Sequence, residues 1–253
     1  MSIAIKFEHV SKSFSDHTFL TGGLKNYILN GFQASKYNRS HLVLDDISFE
    51  VERGSTTGFV GRNGAGKSTL LGLIAGVMKP NSGKVTVNGR VSSLLELGAG
   101  FHPDLSGREN IELYGVVLGF SRRDIRKRLD SIIDFAELAE HIDTPIRFYS
   151  SGMLARLGFA VVSQLDPEIL LVDEVLAVGD YKFQAKCGEV MKRFRADGGT
   201  IVLVSHSAGD VTTLCDQAHF IENHRIVFSG KPAEVMAKYQ PDVPLPTAVP
   251  PAA

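Results

Sequence analysis

Between Val60 and Leu70 the chain reads GRNGAGKST, residues 61–69, which fits the pattern G-x-x-x-x-G-K-[ST]. These residue types suit the binding of a polyphosphate. Gly61, Gly64 and Gly66 open backbone conformations and leave room for phosphate oxygens, while successive N–H groups along Arg62, Asn63, Ala65 and Thr69 supply partial positive charge. Lys67 adds a full charge at the β- and γ-phosphates, and Ser68 offers a hydroxyl to Mg²⁺. The chemistry expected is nucleotide binding. Two acidic residues then close an apolar run at ILLVDE, residues 169–174. Asp173 is expected to hold Mg²⁺, directly or through water, and Glu174, one residue further out, to act as general base on an attacking water. A third group is His206, directly after the apolar run TIVLVS, where an imidazole can touch a γ-phosphate and orient that water.

Each group needs a strand to place it. Thr56 to Ala75 reads as a short apolar strand, a glycine turn and an apolar-periodic helix, the context a phosphate loop requires. Ile169–Val172 and Thr200–Val204 are short, almost wholly apolar runs, separated by a helical stretch ending at Gly198-Gly199. They predict buried parallel strands joined by a crossover. Ligands of open α/β sheets gather at the carboxyl ends of such strands, where Asp173 and His206 fall.

Other segments are less direct. Ile3, Ile5 and Phe7 alternate with polar residues, as do Ile47, Phe49 and Val51, which predicts an antiparallel sheet; Lys84–Val87 and Arg90–Leu95 read as further strands. Residues 16–41 read as an insertion, either a docking element or a decorative loop. From about Ser106 to Leu165 the apolar period is helical, predicting a helical subdomain within the sheet. Its stretch SRRDIRKRL, residues 121–129, carries five basic residues and reads as a solvated helix face in preference to a contact with lipid or a membrane partner. Phe220–Glu222 and Ile226–Phe228 flank Asn223-His224 as a hairpin, and Pro232–Tyr239 reads as a last helix. Residues 241–253 hold five of the chain's ten prolines and are expected to be disordered.

A net charge of −1 in 253 residues provides no long-range field for recruiting nucleic acid, and no nucleic-acid partner is expected. No run approaches the roughly 18 consecutive apolar residues of a spanning helix. The N-terminal pattern is that of a strand instead of a signal peptide, and Cys187 and Cys215 read as reduced thiols. A membrane role would therefore come through a partner.

YSSGM, residues 149–153, resembles the signature sequence of ABC transporter ATPases, usually written LSGGQ. Ser151 and Met153 depart from that pattern. In LLELGAGFHPDLSGREN, which resembles the family's Q-loop region, Glu96 stands in place of glutamine. FHPDLSGREN, YSSGM followed by RLGFA, and DEVLAVGD together resemble the ATPase subunits of polysaccharide exporters, the O-antigen, capsule and teichoic-acid branch, over residues 3 to 240. The resemblance implies an α/β P-loop core with a mainly parallel sheet, an antiparallel β subdomain and an inserted helical subdomain, spanning residues 1–240. It implies ATP and Mg²⁺, with Glu96 among the metal-site residues, and a homodimer in which Ser150, Ser151 and Gly152 of one subunit meet the ATP held by the loop of another. Asp180 would lie at that interface. Phe14 would stack on adenine, the alternative being an ordinary core phenylalanine. The implied partner is an integral membrane permease in two copies, moving a lipid-linked glycan, with the ATPase peripheral on the cytoplasmic face of the inner membrane. ABC ATPases for another exported substrate, or without transport, are the rival readings.

Overall fold

The structure, a computed structural model, describes residues 2–15, 40–94, 100–165, 167–173 and 180–240. Two sheets arise from two kinds of apolar pattern. Strands β1 (Ile3–Ser15), β2 (Ser40–Glu52) and β4 (Ser82–Val87) form an antiparallel sheet in the order β2-β1-β4. Ile47, Phe49 and Val51 are buried between exposed Ser48, Glu50 and Glu52, the alternation of a half-buried strand. That period breaks at His9 and at Asp46, both with positive φ (51° and 52°), where the register shifts. The two irregular sites face each other, with His9 Nδ1 2.8 Å from Asp46 Oδ1. β2 consequently starts earlier than the alternating triplet indicates. Ser40 and His41 pair with Ser15 and Phe14, so they belong to the strand and not to the insertion expected at 16–41; residues 16–39 lie outside the described residues, as do 241–253.

The second sheet has the order β5-β6-β7-β3-β8-β9, from β5 (Val91–Ser93), β6 (Ile169–Asp173), β7 (Thr200–Val204), β3 (Thr56–Val60), β8 (Gln217–Glu222) and β9 (Arg225–Gly230). All pairs are parallel except β8 with β9. There Asn223 and His224 both adopt positive φ, the backbone of a primed hairpin turn whose twist suits the flanking strands. The chain changes sheets between β2 and β3, between β3 and β4, and between β4 and β5. Arg53 fastens the last crossing by donating to Glu168 Oε2 at 3.0 Å and to the Asn88 carbonyl at 2.7 Å.

Helices cover both faces of the parallel strands, the α/β architecture expected of a P-loop core. Along β3, β6 and β7 successive side chains alternate between two cores. Phe59, Leu171, Val202 and Val204 join the antiparallel sheet and helix α1 (Lys67–Ile74). Val60, Leu170, Val172 and Leu203 face the other way. That second core extends into α2 (Gly107–Val117), α3 (Arg122–Ala136), the short 3₁₀ turn Ile146–Phe148 and α4 (Ser151–Gln164), which lie between β5 and β6 in the chain. It also takes in α5 (Tyr181–Ala196), α6 (Ala208–Leu214) and α7 (Pro232–Tyr239). Within the basic stretch of α3, Arg126 pairs with Glu112 of α2 and Arg128 donates to the Gln164 carbonyl at the end of α4, so part of that stretch braces its neighbours. Cys187 and Cys215 are free and buried, and burial pushes both thiols up to about 12. Among the described residues no helix is long and apolar enough to cross a membrane.

His219 on β8 is enclosed by this packing. Its ring stacks on Phe59 (4.9 Å) and lies 5.5 Å from Phe49, with Nδ1 2.7 Å from Ser229 Oγ. Burial lowers its pKa from 6.5 to about 4. Between those values the unfolded chain binds a proton that the folded chain refuses. Stability is therefore full above about pH 6.5 and falls by about 3 kcal/mol as the pH drops toward 4. Urea unfolding of the wild type and of His219→Phe across this range is expected to show that part of the slope missing in the variant.

Candidate nucleotide site

Strand register brings the chemical groups to one edge. Phe59 of β3 pairs with Val204 of β7, and Val204 pairs with Asp173 of β6. The three parallel strands therefore end side by side, where open α/β sheets bind ligands. The loop from Gly61 leaves β3, His206 follows β7, and Asp173 is the last residue of β6.

In the loop the glycines have different reasons to be glycine. At Gly61 a Cβ would come 2.4 Å from the Ile221 carbonyl oxygen of β8, so the constraint is close approach. Gly64 has open space around it but a φ of +83°. Gly66 combines both, with φ +103° and a Cβ position 2.5 Å from the Val43 carbonyl of β2. The antiparallel sheet thus presses on the loop exactly where α1 begins. Helices α2 to α6 each start with a side chain, Ser106, Ser121, Ser150, Asp180 or Ser207, that accepts from the first turn. α1 starts on Gly66 with no side-chain cap and no acidic residue in its first turn, which leaves its terminal N–H groups available to an anion.

Lys67 is buried, and its ammonium donates to the Gly61 carbonyl at 2.7 Å and the Arg62 carbonyl at 3.2 Å. Nζ lies 3.5 Å from His206 Nε2, across 139 positions of sequence. His206 Nε2 is also 3.0 Å from Asn63 Oδ1. The other ring nitrogen, Nδ1, lies 2.6 Å from the hydroxyl of Tyr239 on α7. Tyr239 was invisible as a site residue, because an aromatic near the end of an amphipathic helix carries no signal beyond packing. Arg62 and Asn63 are exposed on the loop, Ala65 and Gly66 are buried in it, and Thr69 is half-buried in α1.

Ser68 and Asp173 line one groove of about 990 Å³. Both offer hard oxygen donors, the ligand class that Mg²⁺ takes. Among the described residues no group of three or more His, Cys, Asp or Glu side chains is arranged to hold a metal. A serine and one carboxylate suit an ion that completes its shell with phosphate oxygens and water. Glu174 and Glu96 lie outside the described residues.

The other sequence candidates stand at helix starts or on the antiparallel sheet. Ser150 caps α4, its Oγ accepting from the Met153 N–H at 3.2 Å; Ser151 is exposed beside it, and a Cβ on Gly152 would meet only the Ser150 oxygen. Capping uses a lone pair of Ser150 and leaves its O–H able to donate. Asp180 caps α5 by accepting from the Phe183 N–H. Phe14, near the end of β1, is 43% exposed, with the Lys12 ammonium 5.1 Å from its ring centre. Among the described residues, Ser150 and Asp180 each bond to their own helix and not to the phosphate loop.

The ABC transporter family profile matches residues 44–177, more than half of the chain. The chain belongs to the ABC transporter family. Within that family it is 49% identical over 243 residues to the O-antigen export system ATP-binding protein RfbB of Klebsiella pneumoniae, covering 95% of this chain and 98% of that protein. It is 40% identical to the teichoic acids export ATP-binding protein TagH of Listeria innocua serovar 6a, over 94% of this chain and 70% of that one. A dimeric ATP-binding cassette solved in a post-hydrolysis state with ADP and Pi shares the fold at a TM-score of 0.69 and 20% identity, covering 90% of this chain and 98% of the other. The chain is thus an ATP-hydrolysing subunit in the polysaccharide-export branch of the ABC transporter family.

Replacing Lys67 by Met keeps the volume of a buried side chain and removes its charge. Loss of a charge-assisted contact is expected to weaken binding of a fluorescent ATP analogue by roughly 10- to 100-fold. Far-UV circular dichroism should stay unchanged.

Proposed function

We propose that residues 1–240 form one cassette of a homodimer that hydrolyses ATP on the cytoplasmic face of the inner membrane and drives a permease, present in two copies, to move a lipid-linked glycan. The observation carrying the ATP chemistry is the 3.5 Å approach of Lys67 to His206 at the shared end of β3, β6 and β7. In this reading the loop N–H groups and the α1 terminus bind the β- and γ-phosphates, with Lys67 turning its ammonium toward them. Ser68 and Asp173 would hold Mg²⁺, which when bound neutralises charge on the phosphates. Glu174, the residue after Asp173, takes a proton from water as the water oxygen bonds to the γ-phosphorus and the bond to the β–γ bridging oxygen breaks. ADP leaves with that oxygen and phosphate is released. His206 donates from Nε2 toward the γ-phosphate and orients the water.

A single chain leaves the γ-phosphate open on one side. The α4 terminus, with Ser150 and Ser151 exposed and Gly152 half-buried, supplies the missing donors from a second copy, and Asp180 lies at the seam. The capped Ser150 retains a hydroxyl proton for a phosphate oxygen. Phe14 stacks on adenine, a contact of about 0.5–1.5 kcal/mol by analogy with aromatic pairs.

The groove that reaches Ser68 and Asp173 suits the permease. Its walls include Val77, Val87, Tyr114 and Val117, drawn from the turn after α1, the antiparallel sheet and the helical unit, and Val77 (80%) and Val117 (63%) are exposed. Apolar residues in a concave surface that opens beside the phosphate loop fit an amphipathic segment of a membrane partner. Movement of that segment would be felt at Ser68 and Asp173.

Two measurements test this reading. Glu174→Gln in the purified complex is expected to abolish turnover, by about 10²-fold or more, while ATP still binds; unchanged turnover would remove Glu174 as the base. Val117→Asp places a charge in the groove at an exposed position. It should prevent copurification of the permease and leave nucleotide affinity within about twofold.

A further inference from the structure

The hydroxyl of Tyr239 is 2.6 Å from His206 Nδ1 and 3.4 Å from the carbonyl oxygen of Gly61, the first residue of the phosphate loop. α7 thereby brings one hydroxyl beside two parts of the nucleotide site from a segment 172 positions beyond Lys67. The tyrosine is itself held firmly. Its ring lies edge-on to Phe220 of β8 at 5.4 Å and nearly parallel to the His206 ring at 6.1 Å. Val235 and Met236 of the same helix are buried, and Gln240 donates to the His206 carbonyl at 3.3 Å.

A phenol has one proton to give. The short contact assigns it to Nδ1, because the path to Gly61 is long for an O–H donor. Nε2 must then carry the imidazole proton, and Asn63 Oδ1 at 3.0 Å is placed to accept it. The opposite tautomer would set a bare Nε2 against that oxygen. Lys67 is engaged mainly by its own loop: its ammonium donates to the Gly61 and Arg62 carbonyls at 2.7 and 3.2 Å and stands further off, at 3.5 Å, from Nε2. A phosphate oxygen only accepts, so an imidazole that serves it must present N–H.

We propose that Tyr239 is a positioning residue, whose hydroxyl holds His206 in the Nε2–H tautomer and aims that N–H at the γ-phosphate. The proposal rests on the reading of His206 as the γ-phosphate contact. It makes the last helix part of the hydrolytic apparatus, although no atom of Tyr239 need touch ATP.

The test is Tyr239→Phe, which keeps the ring on Phe220 and removes the hydroxyl. Full-length protein labelled with ¹⁵N-histidine, with the His206 signals assigned by their loss in His206→Gln, reports the tautomer directly. The wild type should show neutral His206 protonated at Nε2 with Nδ1 hydrogen-bonded, and the Nδ1 signal should move in Tyr239→Phe. In the complex with its permease, kcat for ATP hydrolysis should fall roughly tenfold with KM within about twofold. No further loss should follow when Tyr239→Phe is added to His206→Gln. An Nδ1–H wild type, a slow His206→Gln beside an unaltered Tyr239→Phe, or an equal loss from Tyr239→Phe in the His206→Gln background would overturn the role of Tyr239. His206→Gln turning over at the wild-type rate would instead overturn the reading of His206, and the proposal with it.

Discussion

The parallel register of β6, β7 and β3 is the constraint on which the site depends. Because Asp173, Val204 and Phe59 lie in line, a loop, a histidine and a carboxylate far apart in sequence leave the sheet at one edge. That register is fixed by burial on both faces. A slip of one residue would carry Phe59, Leu171 and Val202 out of one core and into the other, exchanging whole sets of packed side chains. The chemistry is therefore aligned by apolar residues that take no part in it.

The loop itself is placed by pressure from two sides. β8 approaches Gly61 and β2 approaches Gly66 so closely that neither position has room for a side chain. Between them the ammonium of Lys67 is held by two carbonyls of its own loop. The antiparallel sheet thus does more than extend the core, since its strand β2 forms the wall against which α1 starts. Polar ties such as Arg53 to Glu168 are partly exposed and add little energy, but they fix where the chain leaves one sheet for the other.

Much of this was legible in the residues. GRNGAGKST announces its own backbone, and the apolar runs 169–172 and 200–204 emerged as adjacent parallel strands because continuous burial needs no alternation to be read. Asn223-His224 marked the hairpin. What stayed hidden has physical causes. The irregularities at His9 and Asp46 interrupt the period of two, so β1 and β2 run beyond their alternating triplets. The runs 84–87 and 90–95 look alike, yet β4 and β5, which fall within or across them, enter different sheets, and only the partner strands distinguish them. The distinct reasons for Gly61, Gly64 and Gly66 reside in neighbours brought by the fold. Tyr239 is the clearest case, since its meaning lies wholly in a contact with His206.

The composite site, in which Lys67 of one copy and Ser150 of the other hold the same ATP, is the central claim about function. Differently tagged Lys67→Ala and Ser150→Arg chains, each silent as a homodimer, can be assembled with the permease as isolated heterodimers and assayed for ATP hydrolysis. One site then carries both defects and the other carries none, so hydrolysis is expected to return to about half of the wild-type rate. A doubly substituted chain paired with an unaltered one should stay silent. The inverse pattern, silence from the mixed single variants and about half activity from the doubly substituted pair, would place Lys67 and Ser150 at the same ATP within one chain and contradict the account.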